Sequence, residues 1–304
     1  MAKPKLAQWV LQHTGATLTA MTPVGGGCIH RAWRLELEDG RLCFAKTNRA
    51  ELLAVLEAEA AGLQALRQAL ERAEPAGAGS LQVPEPLALG VAGDEAVLLL
   101  GWLEFCRSSG GAHAWQLLGA ALAHLHRSSL NRDDGRFGWE ADNFIGSAPQ
   151  ANGWCHSWAT FFCRERLGRQ LRWAERSGHR LPDADALLEQ IPHWLADHEA
   201  QPCLVHGDLW SGNAGLLEGG GCAIFDPAVY RGDREVDLAM AQMFGGFPPA
   251  FFEGYERCWP LPPGHQQRRD LYNLYHLLNH ANLFGGSYWS QSAARIRALL
   301  ESWS

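Results

Sequence analysis

The segment Cys203-Leu204-Val205-His206-Gly207-Asp208-Leu209-Trp210-Ser211-Gly212-Asn213 carries the densest set of chemically capable side chains in the sequence. A short apolar run delivers a His-x-Asp turn, and four residues separate Asp208 from Asn213. Asp and Asn at that spacing suit phosphoryl transfer. The carboxylate accepts the proton of an attacking hydroxyl, and the amide oxygen holds Mg²⁺. Ala223-Ile224-Phe225-Asp226-Pro227 is a second short strand ending in a carboxylate. Asn213 and Asp226 together supply two of the hard oxygen ligands that Mg²⁺ takes while bridging phosphates. Taken singly, Asp-x-x-x-x-Asn arises often by chance, and Phe-Asp-Pro reads equally well as a turn.

Composition points to one more member of the set. Lysine and arginine together number 26, yet lysine occurs only at positions 3, 5 and 46. A codon bias toward arginine accounts for the imbalance. A lone late lysine, however, suggests that position 46 needs an ammonium, not a guanidinium. Lys46 can meet the α/β-phosphates of a nucleotide while a helix carboxylate pins it in place. Glu59, thirteen residues on, is the expected partner, with Glu57 as its rival. Upstream, Gly25-Gly26-Gly27 can present backbone N–H groups to phosphates, although a Gly triplet is more often a plain flexible turn.

These residues need elements to position them. Lys5–His13 reads as a short amphipathic helix. Residues 17–24, 29–37 and 41–47 alternate as strands. Asp39-Gly40 is a hairpin turn between the second and third. Residues 50–72 repeat Leu, Ala and Glu at helical spacing. Residues 74–80 read as a loop, and two strands follow near 88–91 and 96–103. Beyond Glu104 helical patterns dominate, at 112–127, 158–175, 185–198, 249–258, 267–284 and 292–303. The expected fold class is α+β and bilobal, resembling a protein kinase. Its small N-lobe (1–103) has five antiparallel strands and one long helix and holds the nucleotide. Its larger, mainly helical C-lobe (104–304) holds the catalytic loop and the acceptor, and the two form one catalytic unit. Gly101-Trp102-Leu103 falls where a kinase hinge would bind the adenine edge. Asp237, at a helix start, is expected to support the catalytic loop, and His206 to brace it. The charged stretch Arg164–Arg180 reads as solvated surface. His276 and His280 fall four apart on a helix but read as pocket residues, not as a metal pair.

On these motifs the chain resembles the fructosamine/ketosamine 3-kinases, relatives of the aminoglycoside and choline phosphotransferases. The catalytic-loop segment carries the resemblance, as do Phe137-Gly138, Asp142-Asn143-Phe144-Ile145-Gly146 and Pro149-Gln150-x-Asn152-x-Trp154. The runs Phe244–Phe252 and Leu274–Gly286 share it, and it extends from about residue 8 to 303. The resemblance implies ATP and Mg²⁺ as cofactors and transfer to the 3-hydroxyl of a ketosamine, free or on a glycated protein, as a deglycation repair. Asp208 would be the catalytic base, with Trp210 and His280 near the substrate. Cys28 would be a candidate redox residue, since family members with a cysteine there form intermolecular disulfides. Alternatives are another small-molecule phosphotransferase of the aminoglycoside or choline type, or an inactive kinase-like binding module.

Other classes are disfavoured. The net charge of −7 argues against a nucleic-acid partner. The longest strongly apolar stretch, Ala96–Leu103, is too short to span a bilayer. The N-terminus lacks an apolar signal core, and eight cysteines without a C-x-x-C pair fit a reducing compartment. The expected setting is cytoplasmic, with no membrane partner, as a monomer or homodimer.

Overall fold

The computed structural model describes residues 4–25, 30–73, 81–106, 110–131 and 134–303. Gly26, Gly27 and Cys28 therefore lie outside the described residues, while Gly25 closes the first strand.

The five expected strands form one antiparallel sheet. They are β1 (Leu18–Val24), β2 (Arg31–Leu37), β3 (Leu42–Arg49), β5 (Pro86–Ala92) and β6 (Glu95–Gly101), in the order β1-β2-β3-β6-β5. Between β3 and β5 run helix α2 (Leu53–Arg72) and the two-residue strand β4 (Leu81–Gln82). Helix α1 (Pro4–Thr14) packs Leu6, Trp9 and Val10 on one face of the sheet, against Leu35, Ala45, Val97 and Leu99. Helix α2 packs Leu56, Leu63 and Leu66 on the other, against Ala96, Leu98 and Leu100. Successive residues of β6 thus enter opposite cores. A strand covered on both faces reads as an unbroken apolar run, as 96–103 does.

The rest of the chain is mainly helical: α3 (Ala112–Ser128), α4 (Trp158–Phe161), α5 (Gly168–Arg176), α6 (Ala184–Trp194), α7 (Glu235–Met243), α8 (Pro249–Cys258), α9 (His265–Phe284) and α10 (Ser287–Ser302). The helix expected over 158–175 contains a π turn, Phe162–Leu167, between α4 and α5. That turn carries Arg166 inward. Within the stretch read as solvated surface, Arg166 is completely buried. Its guanidinium lies 3.9 Å from the Tyr230 ring and 4.6 Å from Phe161. Aromatic faces attract a cation by their quadrupole and replace part of its lost hydration.

Short strands hold the intervening loops. Strand β7 (Asn143–Ile145) pairs with β8 (Ala148–Gln150), and β9 (Cys203–Val205) with β12 (Tyr230–Gly232). Strand β10 (Ala214–Leu216) pairs with β11 (Cys222–Ile224), which takes β4 as a parallel neighbour. One apolar core continues across residues 103 and 104, joining Leu56, Leu63 and Leu98 to Leu118, Leu122 and Ile224. Among the described residues no helix is long and apolar enough to cross a membrane.

Helices α3 and α8 approach closely because each presents a glycine at the crossing. A Cβ on Gly119 would overlap the Phe251 carbonyl oxygen, and one on Gly254 would overlap that of Gln116. These obstacles are backbone and cannot rotate away. Gly254→Val is therefore expected to destabilise the fold by about 2 kcal/mol or more, the scale of overpacking a tight core. Urea titration of the variant against wild type measures it.

Candidate active site

Alternation along β3 turns Lys46 toward α2, where the residue is 5% exposed. Its ammonium donates to Glu59 Oε1 at 2.7 Å. It also contacts Asp226 Oδ1, 180 residues further along the chain. Glu59 is buried on α2 and Glu57 exposed, so the pairing goes to Glu59. Burial opposes the charge on Lys46, but the two carboxylates outweigh it and raise the ammonium's pKa. Lys46 stays a cation throughout the physiological range.

The loop carrying Asp208 hangs from strand β9, which β12 holds in place. Its backbone is gripped by Asp237 in the first turn of α7. His206 N donates to Asp237 Oδ2 at 2.7 Å, and Gly207 N to Oδ1 at 2.8 Å. Gly207 takes φ +81°, and a Cβ there would overlap the Ala228 carbonyl oxygen. Glycine alone suits that position. His206 is buried, and desolvation lowers its pKa, so the imidazole is neutral. Its Nε2 donates to the Phe225 carbonyl at 2.9 Å, leaving Nδ1 to accept from Asp208 N at 3.3 Å. A ring bonded on both sides is a brace with no spare site for a substrate proton. Ala228 N donates to His206 O, and Phe225 N to Asn213 O, which ties the Asp226 turn to the same loop.

Asn213 Nδ2 donates to Asp208 O at 2.9 Å and to Asp208 Oδ2 at 3.1 Å. With the amide nitrogen so engaged, Oδ1 is the atom of Asn213 left to serve as a ligand. Asp226 sits at φ +56°, a left-handed turn that Asp tolerates better than most residues. Asn213 Oδ1 and the Asp226 carboxylate are hard oxygen donors and fit Mg²⁺. Asp208 itself is pushed up to about 7, first by burial and then by the negative charge of Asp226, against the Asn213 hydrogen bond.

A second ring of contacts carries no reacting group but fixes those that do. Asp237 Oδ2 also lies 3.1 Å from His126 Nε2, whose Nδ1 meets the Tyr255 hydroxyl at 2.9 Å. Burial disfavours the Asp237 charge, yet the hydrogen bonds from His126 and the loop backbone hold its carboxyl below the usual range. In sequence His124 and His126, two apart, cannot share a helix face, and His126 carries no expected role. Its only local signal was its place on the core stripe with Leu118, Leu122 and Leu125. Asn143, Gln150 and Asn152 are buried and bonded to internal partners. Asn143 Nδ2 donates to Val229 O and Gln150 Nε2 to Ala228 O, supporting the backbone just after Asp226. Asn152 Oδ1 accepts from Arg166, and Gln150 Oε1 from the Tyr275 hydroxyl. His198, Asp233 and Glu235 also cluster. Tyr272 and His198 bond Asp233 there, and Arg268 bonds both oxygens of Glu235, so the cluster is an internal brace.

The other expected site residues lie around this centre. Gly101 N donates to Glu85 O, and Trp102 Nε1 to Glu104. Leu103 follows, and the chain is then pinned to the β10 hairpin by Cys106 N to Leu216 O and Glu218 N to Glu104 O. Trp210 is 39% exposed and folds over Gly212, so it is not a core residue. His280 Nδ1 donates to His276 O at 2.7 Å, with its ring beside Phe244, Phe284 and Tyr288.

The fold class is that of the protein-kinase-like phosphotransferases. The chain superposes on a crystal structure of an aminoglycoside phosphotransferase with a TM-score of 0.62, covering 97% of this chain and 98% of that one at 17% identity. A crystal structure from Haemophilus somnus, provisionally assigned as a fructosamine-3-kinase, matches with a TM-score of 0.84 over 97% and 96% of the two chains at 26% identity. Residues 2–302 match the fructosamine kinase family model, and the chain belongs to that family. A Synechocystis relative provisionally named a ketoamine kinase is 42% identical over 97% of this chain and 96% of its own. The chloroplastic protein-ribulosamine 3-kinase of Arabidopsis thaliana is 35% identical over 97% of this chain and 87% of its own. Family membership makes this chain an ATP-dependent phosphotransferase.

Lys46 lies within reach of two carboxylates from separate elements, which a compact ammonium satisfies and a planar guanidinium does not. Lys46→Arg preserves charge but is expected to lower kcat/KM for ATP by about a hundredfold, on the scale of losing a charge-assisted contact to phosphate. Steady-state kinetics with ATP varied measures it.

Proposed function

We propose that the protein transfers the γ-phosphoryl group of ATP to the 3-hydroxyl of a ketosamine, a sugar joined to an amine as a ketoamine. The observation that carries this reading is the convergence of Asp208, Asn213, Asp226, Lys46 and Glu59 in a chain of the fructosamine kinase family. The ribulosamine 3-kinase named among its relatives supports the position of transfer. Residues 1–103 then hold the nucleotide and residues 104–304 the acceptor, as one unit. Gly25, with Gly26 and Gly27, covers the phosphates, and residues 101–103 meet the adenine. The setting is cytoplasmic, and the acceptor is a small ketosamine or a glycated protein.

The chemistry follows from the site. Asp208 orients the sugar hydroxyl and accepts its proton as the oxygen bonds to the γ-phosphorus. The bond from that phosphorus to the bridging oxygen of ADP breaks, and ADP leaves with the electron pair. Lys46, held by Glu59, offsets charge on the α- and β-phosphates. Asn213 and Asp226 would hold Mg²⁺, which when bound neutralises charge on the phosphates. Positioning and electrostatics are what such a transfer asks of a protein. His206 and Asp237 act through the loop they fix, and Trp210 and His280 border the acceptor.

Incubation with Mg-ATP and a synthetic fructosyl- or ribulosyl-amine is expected to give a 3-phosphate, located by ³¹P NMR. Turnover only on aminoglycosides, choline-like amines or simple sugars would replace the reading with the broader phosphotransferase class. ATP binding without turnover on any acceptor would make the chain an inert module.

Asp208→Asn is expected to lower kcat by about 10²–10⁴-fold while ATP affinity is largely kept. In wild type, kcat/KM should rise with pH through about 7 as Asp208 loses its proton. Stability should run the other way. A carboxyl whose folded pKa exceeds its unfolded value stabilises the fold fully below the ordinary carboxylate range, and that stability is lost as pH rises through about 7. Asp208→Asn should therefore raise Tm relative to wild type more at pH 8 than at pH 5, which calorimetry at both values checks.

A further inference from the structure

Four aromatic side chains gather where α9 meets α10, and two of them are unusually exposed. The His280 ring lies 5.1 Å from Phe244, 5.6 Å from Phe284 and 5.2 Å from Tyr288. Phe284 is 62% exposed and Phe244 42%. Large apolar rings left together in water usually mark a binding surface.

This cluster is continuous with the loop that carries Asp208. Gly246, two residues after Phe244, packs so closely on Ser211 that a Cβ would overlap its side chain. Ser211 follows Trp210, itself 39% exposed and two residues from Asp208. The segment carrying Phe244 therefore packs on the loop that carries Asp208, and His280 and Phe284 extend the cluster along α9.

The hydrogen bonding of His280 sets the polarity of the cluster. A carbonyl oxygen only accepts, so Nδ1 must carry the proton in its bond to His276 O. Burial lowers the pKa of His280, which keeps the ring neutral. Nε2 of a neutral imidazole protonated at Nδ1 is an acceptor lone pair. The cluster thus offers one lone pair and three electron-rich ring faces, with no positive charge of its own. That combination suits an N–H-bearing cation, which aromatic faces attract and an acceptor orients.

We propose that His280, Phe244, Phe284 and Tyr288 form the subsite for the protonated amine and amine substituent of the acceptor, with the sugar lying toward Asp208. The proposal rests on the ketosamine reading above, because that substrate class joins a phosphorylatable sugar to a basic nitrogen. Ring exposure at the outer end allows an amine substituent of any length to continue into solvent.

The test compares a fructosyl-alkylamine with the 1-O-alkyl ether of the same ketose, which keeps the hydroxyls and removes the cation. Wild type is expected to favour the amine in kcat/KM. Phe284→Ala, at an exposed position, should reduce that preference about three- to tenfold. His280→Phe keeps an aromatic ring and removes the acceptor, and should reduce it about tenfold or more. A preference for the amine that is unchanged in both variants overturns the subsite, as does equal use of the two acceptors by wild type. If wild type phosphorylates neither compound, the ketosamine reading fails separately. Calorimetric binding of the same two compounds to wild type and Phe284→Ala then decides the subsite, and equal affinities for the two compounds, or an unchanged preference for the amine, overturn it.

Discussion

Everything in the site is arranged around a buried ammonium that needs two carboxylates. A charge taken out of water is costly unless paired. Lys46 finds Glu59 on the helix packed behind its own sheet and Asp226 at the end of a strand 180 residues later. Those two contacts fix how β3, α2 and the Asp226 turn lie relative to one another. They also keep Asp226 beside Asp208, because the turn and the loop share backbone hydrogen bonds at His206–Ala228 and Asn213–Phe225.

Like-charge crowding follows directly. Asp208 and Asp226 share a small space, and burial together with the charge of Asp226 raises the pKa of Asp208. Asp237 adds a further negative charge that raises the Asp208 pKa, while the Asn213 amide donates against it. Asp237 collects two backbone N–H groups and His126, so the loop stays in place whether or not Asp208 is charged. The base role proposed for Asp208 would benefit from such tuning, since its proton affinity then falls near the working pH. The same arrangement lowers stability at high pH, as groups placed for chemistry commonly do.

Much was legible in the sequence. Strand alternation, the Asp-Gly turn and the helical spacing of 50–72 are local features, and the five strands and α2 follow them closely. Lysine scarcity singled out position 46 before any contact was visible. The rest depended on what packs against what. Arg166 reads as one more surface arginine, because a π turn that redirects a side chain leaves no mark in the spacing of its neighbours. His126 and Tyr255 lie 129 residues apart and meet only because Gly119 and Gly254 let two helices touch. The motif residues Asn143, Gln150 and Asn152 carry the family resemblance in sequence with no stated role, and in the fold they turn inward as backbone supports.

By itself, then, the sequence determined which side chains could carry phosphoryl transfer, in what chain order, and on which kinds of element. Those properties are set by residue type and short-range spacing. Tertiary structure alone decided that Asp208 is buried in the field of Asp226, and that His280 sits among three rings with its acceptor nitrogen defined. Burial, electrostatic proximity and tautomer depend on distances between residues far apart in the chain, and those distances exist only once the elements have packed.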